Sequence, residues 1–154
     1  MTRRVLVIED DEQVMEFVRG SLEARGYEVL MARTGMLGLD LSPQADLIVL
    51  DLGLPDMRGE EVLRRLREQK NDVPVIVMTG YPKSQGYMRV EGYQILEYLE
   101  KPVDKGKLMS VVEKANGICN HVDTLSESTE RIKGFVERQK SVTDSGFWRP
   151  AKGG

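Results

Sequence analysis

Short apolar runs punctuate the first hundred residues, and between them apolar positions recur at helical spacing. Val5-Leu6-Val7-Ile8 is unbroken by polar residues, as in a parallel strand buried on both faces. The acidic cluster Glu9-Asp10-Asp11-Glu12 ends it. From Asp11, Val14, Phe17, Val18 and Leu22 line one helical stripe, with Gly26 placed to close the helix. Tyr27 to Met31 predicts a second strand, and Met36, Leu37, Leu39 and Leu41 a brief helix broken by Pro43. Leu47 to Leu50 predicts a third strand ending at Asp51. The turn-rich segment Gly53-Leu54-Pro55-Asp56-Met57-Arg58-Gly59 then enters a helix. Its inward residues are Val62, Leu63 and Leu66, and Arg64, Arg65, Arg67 and Glu68 form a solvated outer face.

Val73 to Met78 predicts a fourth strand, tolerating Pro74 near its start and ending at Thr79-Gly80. Pro82, Gly86 and Gly92 all oppose a regular helix, so a short or mobile one is expected over residues 81–94. Ile95 to Leu99 predicts a fifth strand that runs into Lys101-Pro102. Leu108, Val111, Val112 and Ala115 mark a helix from about Asp104. The alternation predicts an α/β fold: a doubly wound, five-stranded parallel sheet with helices on both faces. Beyond Gly117 the chain turns polar, with Leu125, Ile132, Phe135 and Val136 at helical spacing. A domain over 1–117 is expected, followed by an extension over 118–154 that is partly helical and affects self-association. Residues 141–154 are expected to be loose unless Phe147 and Trp148 dock.

Composition narrows the class. A chain of 154 residues suits one domain with a real core, and 40% hydrophobic with 31% charged residues is a soluble globular balance. With 22 basic against 25 acidic residues, the net charge of −3 offers no footprint for nucleic acid or an anionic membrane. The single cysteine, Cys119, excludes an intrachain disulfide and fits a reducing compartment. No apolar run reaches the roughly 20 residues of a membrane span. Arg3-Arg4 precedes an apolar run too short for a signal peptide. A cytoplasmic location is expected.

In an open parallel sheet, ligands bind outside the carboxyl ends of the strands. Standing there are Glu9, Asp10 and Asp11 after the first strand, Asp51 after the third, Thr79 after the fourth and Lys101 after the fifth. Packed carboxylates repel unless a cation neutralises them. Mg²⁺ suits such a set, since it takes oxygen ligands from one or two carboxylates plus a phosphate. Asp51 then serves as a nucleophilic carboxylate able to form an aspartyl phosphate. Thr79 and Lys101 match the acceptor oxygens and charge that a phosphoryl group would bring. Taken singly, each residue has a plain explanation: an acidic helix start, a turn aspartate, a strand-end hydroxyl, a surface lysine. Their joint placement favours the site. His121 falls outside it and reads as a solvent-facing residue.

Four motifs carry a resemblance: Val7-Ile8-Glu9-Asp10-Asp11, Leu50-Asp51-Leu52-Gly53-Leu54-Pro55, Val77-Met78-Thr79-Gly80 and Tyr98-Leu99-Glu100-Lys101-Pro102. Over roughly residues 3–117 the chain resembles the response-regulator receiver family of two-component signalling, which implies a flavodoxin-like, CheY-like fold. The resemblance implies that Asp51 is the phosphoacceptor. It also implies that Asp10 and Asp51 bind Mg²⁺ directly, that Glu9 supports it, and that the Gly53 carbonyl is a further ligand. Thr79 and Lys101 are then the phosphoryl-binding pair, Tyr98 the aromatic switch, and Lys101-Pro102 a candidate cis bond. The implied partners are a sensor histidine kinase or phosphotransfer protein and an unknown downstream protein, with a phosphorylation-dependent dimer as one output. The implied role is a phosphoacceptor switch rather than a turnover enzyme. The alternative is a receiver-fold interaction module that works without phosphorylation. A metal-dependent phosphohydrolase is disfavoured, because Leu52-Gly53 follows Asp51 where a general acid is needed and no chain remains for a cap.

Overall fold

The computed structural model describes residues 3–127, with side chains to residue 117. It falls into two compact units, Met1–Met109 and Ser110–Gly154, and the sheet lies in the first. Its strands are β1 (Arg4–Ile8), β2 (Glu28–Ala32), β3 (Leu47–Leu50), β4 (Val75–Thr79) and β5 (Glu97–Glu100). They pair in the order β2-β1-β3-β4-β5, every neighbour parallel. The helices are α1 (Glu12–Glu23), α2 (Gly35–Leu41), α3 (Gly59–Glu68), α4 (Lys83–Val90) and α5 (Lys105–Glu127).

The unbroken apolar runs are explained by burial on both sides. Leu6, Ile8, Ile48, Leu50, Val75 and Val77 share a core with Leu39 of α2, Val62, Leu63 and Leu66 of α3, and Val90 of α4. Residues in between, namely Val5, Val7, Val49, Ile76 and Met78, point the other way and are buried as well. Each such aliphatic side chain contributes roughly 1.5–3 kcal/mol, which is why the charged residues of the strands, Arg4, Glu28, Glu97 and Glu100, stand at strand termini.

Several expectations need correction. The second, fourth and fifth strands lie one or two residues later than their apolar runs, because pairing partners rather than hydropathy define where a ladder begins. In α1 the buried stripe is Met15, Val18 and Leu22, whereas Val14 is half-buried and Phe17 is 39% exposed. Both stripes satisfy helical spacing; the helix presents the sector one step round from the one expected. Arg67 is not part of a solvated face. Its guanidinium donates to the carbonyls of Asn71, Tyr93 and Val73, each at 2.9 Å. Residues 83–93 form the eight-residue α4 and a 3-10 turn, as short as the glycines and proline foretold. The expectations for residues 128–154, and for the side chains of Cys119, His121 and Leu125, lie outside the described residues.

Candidate functional site

Parallel register builds the site. Ile8 pairs with Leu50, so the next residues, Glu9 and Asp51, leave adjacent strands at the same height. The ladder continues through them: the Glu9 amide donates to the Ala32 carbonyl at 2.9 Å and the Asp51 amide to the Ile8 carbonyl at 3.0 Å. On the far side Thr79 pairs with Glu100, and the Lys101 amide donates to the Thr79 carbonyl at 2.7 Å. Lys101 then reaches across the edge. Its Nζ donates to Glu9 Oε1 at 2.7 Å and to Asp51 Oδ2 at 3.1 Å. Asp51 is 7% exposed and Glu9 only 1%, so neither carboxylate is a surface charge.

The acidic cluster divides its labour. Asp11 caps α1, its Oδ1 accepting the Val14 amide at 3.0 Å, while its own amide holds Glu9 Oε2 at 3.0 Å. Glu12 pairs with Arg33 on the surface. The remaining pair, Glu9 and Asp10, joins Asp51: one oxygen from each lies within 4.8 Å of the others, the only such group among the described residues. Burial pushes the Glu9 carboxyl above its usual range, against the opposing pull of the Lys101 hydrogen bond, and the Asp51 charge adds to the rise. For Lys101, burial works against the ammonium, but the Glu9 hydrogen bond and the charges of Asp51 and Glu9 outweigh it and raise its pKa. Three hard oxygen donors, one of them exposed, fit a small divalent cation.

The β3–α3 turn holds Asp51 in place. The Gly53 amide donates to Asp51 Oδ1 at 3.1 Å, and Gly53 bridges to Arg58 across the turn. Gly59 begins α3 pressed against the phosphoacceptor candidate's own backbone: a Cβ there would lie 2.7 Å from the Asp51 carbonyl oxygen and 2.6 Å from Leu52 Cα. Thr79 is buried at the end of β4, and its Oγ1 accepts the Tyr81 amide at 3.4 Å. Tyr98 lies inward, its hydroxyl donating to the Tyr81 carbonyl at 2.9 Å. The Lys101–Pro102 bond is cis. An apolar groove of about 450 Å³ opens beside Lys101, lined by Val14, Phe17, Met78, Pro102 and Val103.

Two residues at the site's margin escaped the sequence. Asp56 reads there as a turn residue, yet both its oxygens hold α2: Oδ1 accepts the Gly35 amide at 2.8 Å and Oδ2 the Met36 amide at 2.9 Å. Tyr81 has no motif signal, yet its main chain joins Thr79 to Tyr98.

The sequence model for the response regulator receiver domain matches residues 5–113. The chain belongs to that family. This receiver is 33% identical over 130 residues to the cell cycle response regulator CtrA of Brucella ovis, a match covering 80% of the chain. It spans about half, 56%, of that relative's length. Among solved structures it is similar to a CheY-like receiver domain protein from Methanospirillum hungatei JF-1. That match has 28% identity and a TM-score of 0.70, and covers 76% of this chain and 96% of the other. It also shares its fold with the receiver domain of the sensor histidine kinase PA1611 from Pseudomonas aeruginosa PAO1, a structure with a magnesium ion coordinated in its active site cleft. There the identity is 24% and the TM-score 0.69, over 76% and 99% of the two chains. The receiver is thus a regulatory module of two-component signalling. No helix among its described residues is long and apolar enough to cross a membrane.

Proposed function

We propose that this receiver is a phosphorylation-dependent switch in which Asp51 accepts a phosphoryl group from a sensor histidine kinase or phosphotransfer protein. One observation carries the reading: the carboxylates of Glu9, Asp10 and Asp51 gather at one point, with the Lys101 ammonium bonded to two of them. Such a cluster suits a divalent cation and a tetrahedral anion together, and structural packing needs neither.

Asp51 is the nucleophile, oriented by the Gly53 amide and Lys101. One of its carboxylate oxygens forms a bond to phosphorus as the P–N bond of the donor phosphohistidine breaks, and the released electron pair stays on the imidazole nitrogen. Glu9, Asp10, Asp51 and the Gly53 carbonyl would hold Mg²⁺, which when bound supplies positive charge against the carboxylates and the transferring group. Lys101 pairs with the new phosphoryl oxygens, and the Thr79 hydroxyl donates to one of them. Inward Tyr98 then reports the state of Thr79 to the face around β4 and β5. The groove beside Lys101, with half-exposed Phe17 at its wall, suits a protein donor docking next to the acceptor. The same reading puts the receiver, residues 1–117, in the cytoplasm with 118–154 as an extension.

Acetyl phosphate, or beryllium fluoride as a mimic, decides the matter in the presence of Mg²⁺. The full chain should gain one acid-labile phosphoryl group, or bind the mimic, and Asp51→Asn should do neither. An inert wild type, or an Asp51→Asn variant that reacts as well as wild type, sinks the proposal. Partner binding indifferent to both Mg²⁺ and Asp51 would instead mark a module that works without phosphorylation.

A further inference from the structure

The seat of Tyr98 depends on something missing from α4. Tyr98 is 4% exposed, its ring lies edge-on to Tyr87 with centroids 6.3 Å apart, and its hydroxyl holds the Tyr81 carbonyl. Directly against it is Gly86. A Cβ built on Gly86 would lie 1.9 Å from Tyr98 Oη, 2.9 Å from Cζ and 3.3 Å from Cε2. No real contact is that close.

Other buried glycines have a different cause. Gly38 makes room for Ile8 of the core, and Gly59 for the backbone of Asp51 and Leu52. Nothing in the backbone calls for glycine at residue 86, since Gly26 is the glycine among the described residues with positive φ. Gly86 sits inside a helix with its amide bonded to the Pro82 carbonyl at 2.8 Å, where alanine is the better helix former. All three nearest atoms to the added carbon belong to the far end of one rotatable side chain. The start of α4 is tied to β5 by a second bond, the Lys83 amide donating to Glu100 Oε2 at 2.6 Å. With the helix held there, the ring is the part able to yield.

We infer that Gly86 is a positioning residue for the switch: its bare Cα creates the inward seat of Tyr98, and any side chain at this position expels the ring and breaks its bond to Tyr81. The link to phosphorylation rests on the function proposed above; the seat itself does not. Expelling Tyr98 frees the Tyr81 main chain, whose amide bonds the Thr79 hydroxyl. Binding at Asp51 and the inward ring are then two ends of one equilibrium, and linkage requires each to favour the other.

The test uses the full chain labelled with 3-fluorotyrosine, the Tyr98 resonance being assigned by its loss in Tyr98→Phe. Without Mg²⁺ or mimic, Gly86→Ala should move that resonance to a solvent-exposed position. With Mg²⁺, the same variant should bind beryllium fluoride about 5- to 150-fold more weakly, the usual span of such coupling. In a Tyr98→Ala background, Gly86→Ala should change mimic affinity less than about twofold, as independent sites do, and should not lower the melting temperature. An unmoved resonance overturns the inference. So does an affinity loss of the same size without the ring, or a lower melting temperature in that background, which would show that the helix itself needs glycine. A wild type that ignores beryllium fluoride defeats the phosphoacceptor reading alone, because the unliganded fluorine spectra still decide the seat.

Discussion

Asp56 illustrates how one side chain can order a neighbouring element without belonging to it. Its two oxygens satisfy the amides of Gly35 and Met36 at the start of α2, donors that no preceding turn of helix can serve. The Gly35 bond first, and the Met36 bond next, hold the carboxyl below its ordinary pKa of 3.8. The folded state therefore binds the proton less tightly than the unfolded chain. The stabilisation is present above pH 3.8 and lost as pH falls through the lower folded value. Asp56→Ala should melt below wild type at neutral pH, and the gap should close in melts recorded at successively lower pH under 3.8. A gap independent of pH would mean that the ionised carboxylate plays no part. Nothing in the sequence announces this bond, because the partners are 20 and 21 residues apart and the acceptor sits in a turn where aspartate is common anyway.

At the scale of elements, α3 shows where patterning succeeds and fails. Val62, Leu63 and Leu66 were legible, since an apolar stripe at helical spacing has few other meanings. Arg67 was not. A long basic side chain beside that stripe looks the same whether it meets water or, as here, gathers the carbonyls of Asn71 and Val73 between α3 and β4 and of Tyr93 before β5. Removing it leaves those acceptors unserved, so Arg67→Ala should cost about 2–3 kcal/mol in urea unfolding. A loss under about 0.5 kcal/mol would return Arg67 to the solvated face. The exposure of Phe17 has a similar origin: α1 carries more apolar residues than its buried sector can hold, and composition alone cannot rank Met15 above Phe17. In α4 the helix breakers correctly foretold a short element, and the use of one of them against Tyr98 required coordinates.

For the whole molecule, the doubly wound, five-stranded parallel sheet was readable because buried apolar runs alternate with helical spacers, whereas the order β2-β1-β3-β4-β5 and the register leave no mark on that pattern; in any such sheet the chemistry gathers at the carboxyl ends of the strands. That logic places Glu9, Asp51, Thr79 and Lys101 on one edge, where the structure has them. The onward route through Tyr81 was invisible, since it runs over a main-chain carbonyl that every residue possesses. If the edge holds Mg²⁺, the ion should stabilise the folded chain by about 2.7 kcal/mol at a hundredfold excess over its dissociation constant. A melting temperature that rises with Mg²⁺ in wild type and barely moves in Asp51→Asn would show it; equal shifts would place the ion elsewhere. The lysine that joins the carboxylates comes 92 residues after Glu9. During synthesis, therefore, the acids emerge long before their counter-charge, and no nascent fragment ending short of the fifth strand has the complete constellation. On the proposed reading, competence to receive a signal is conferred late, only once Lys101 has followed the fifth strand off the ribosome, so an unfinished chain cannot answer for a finished one.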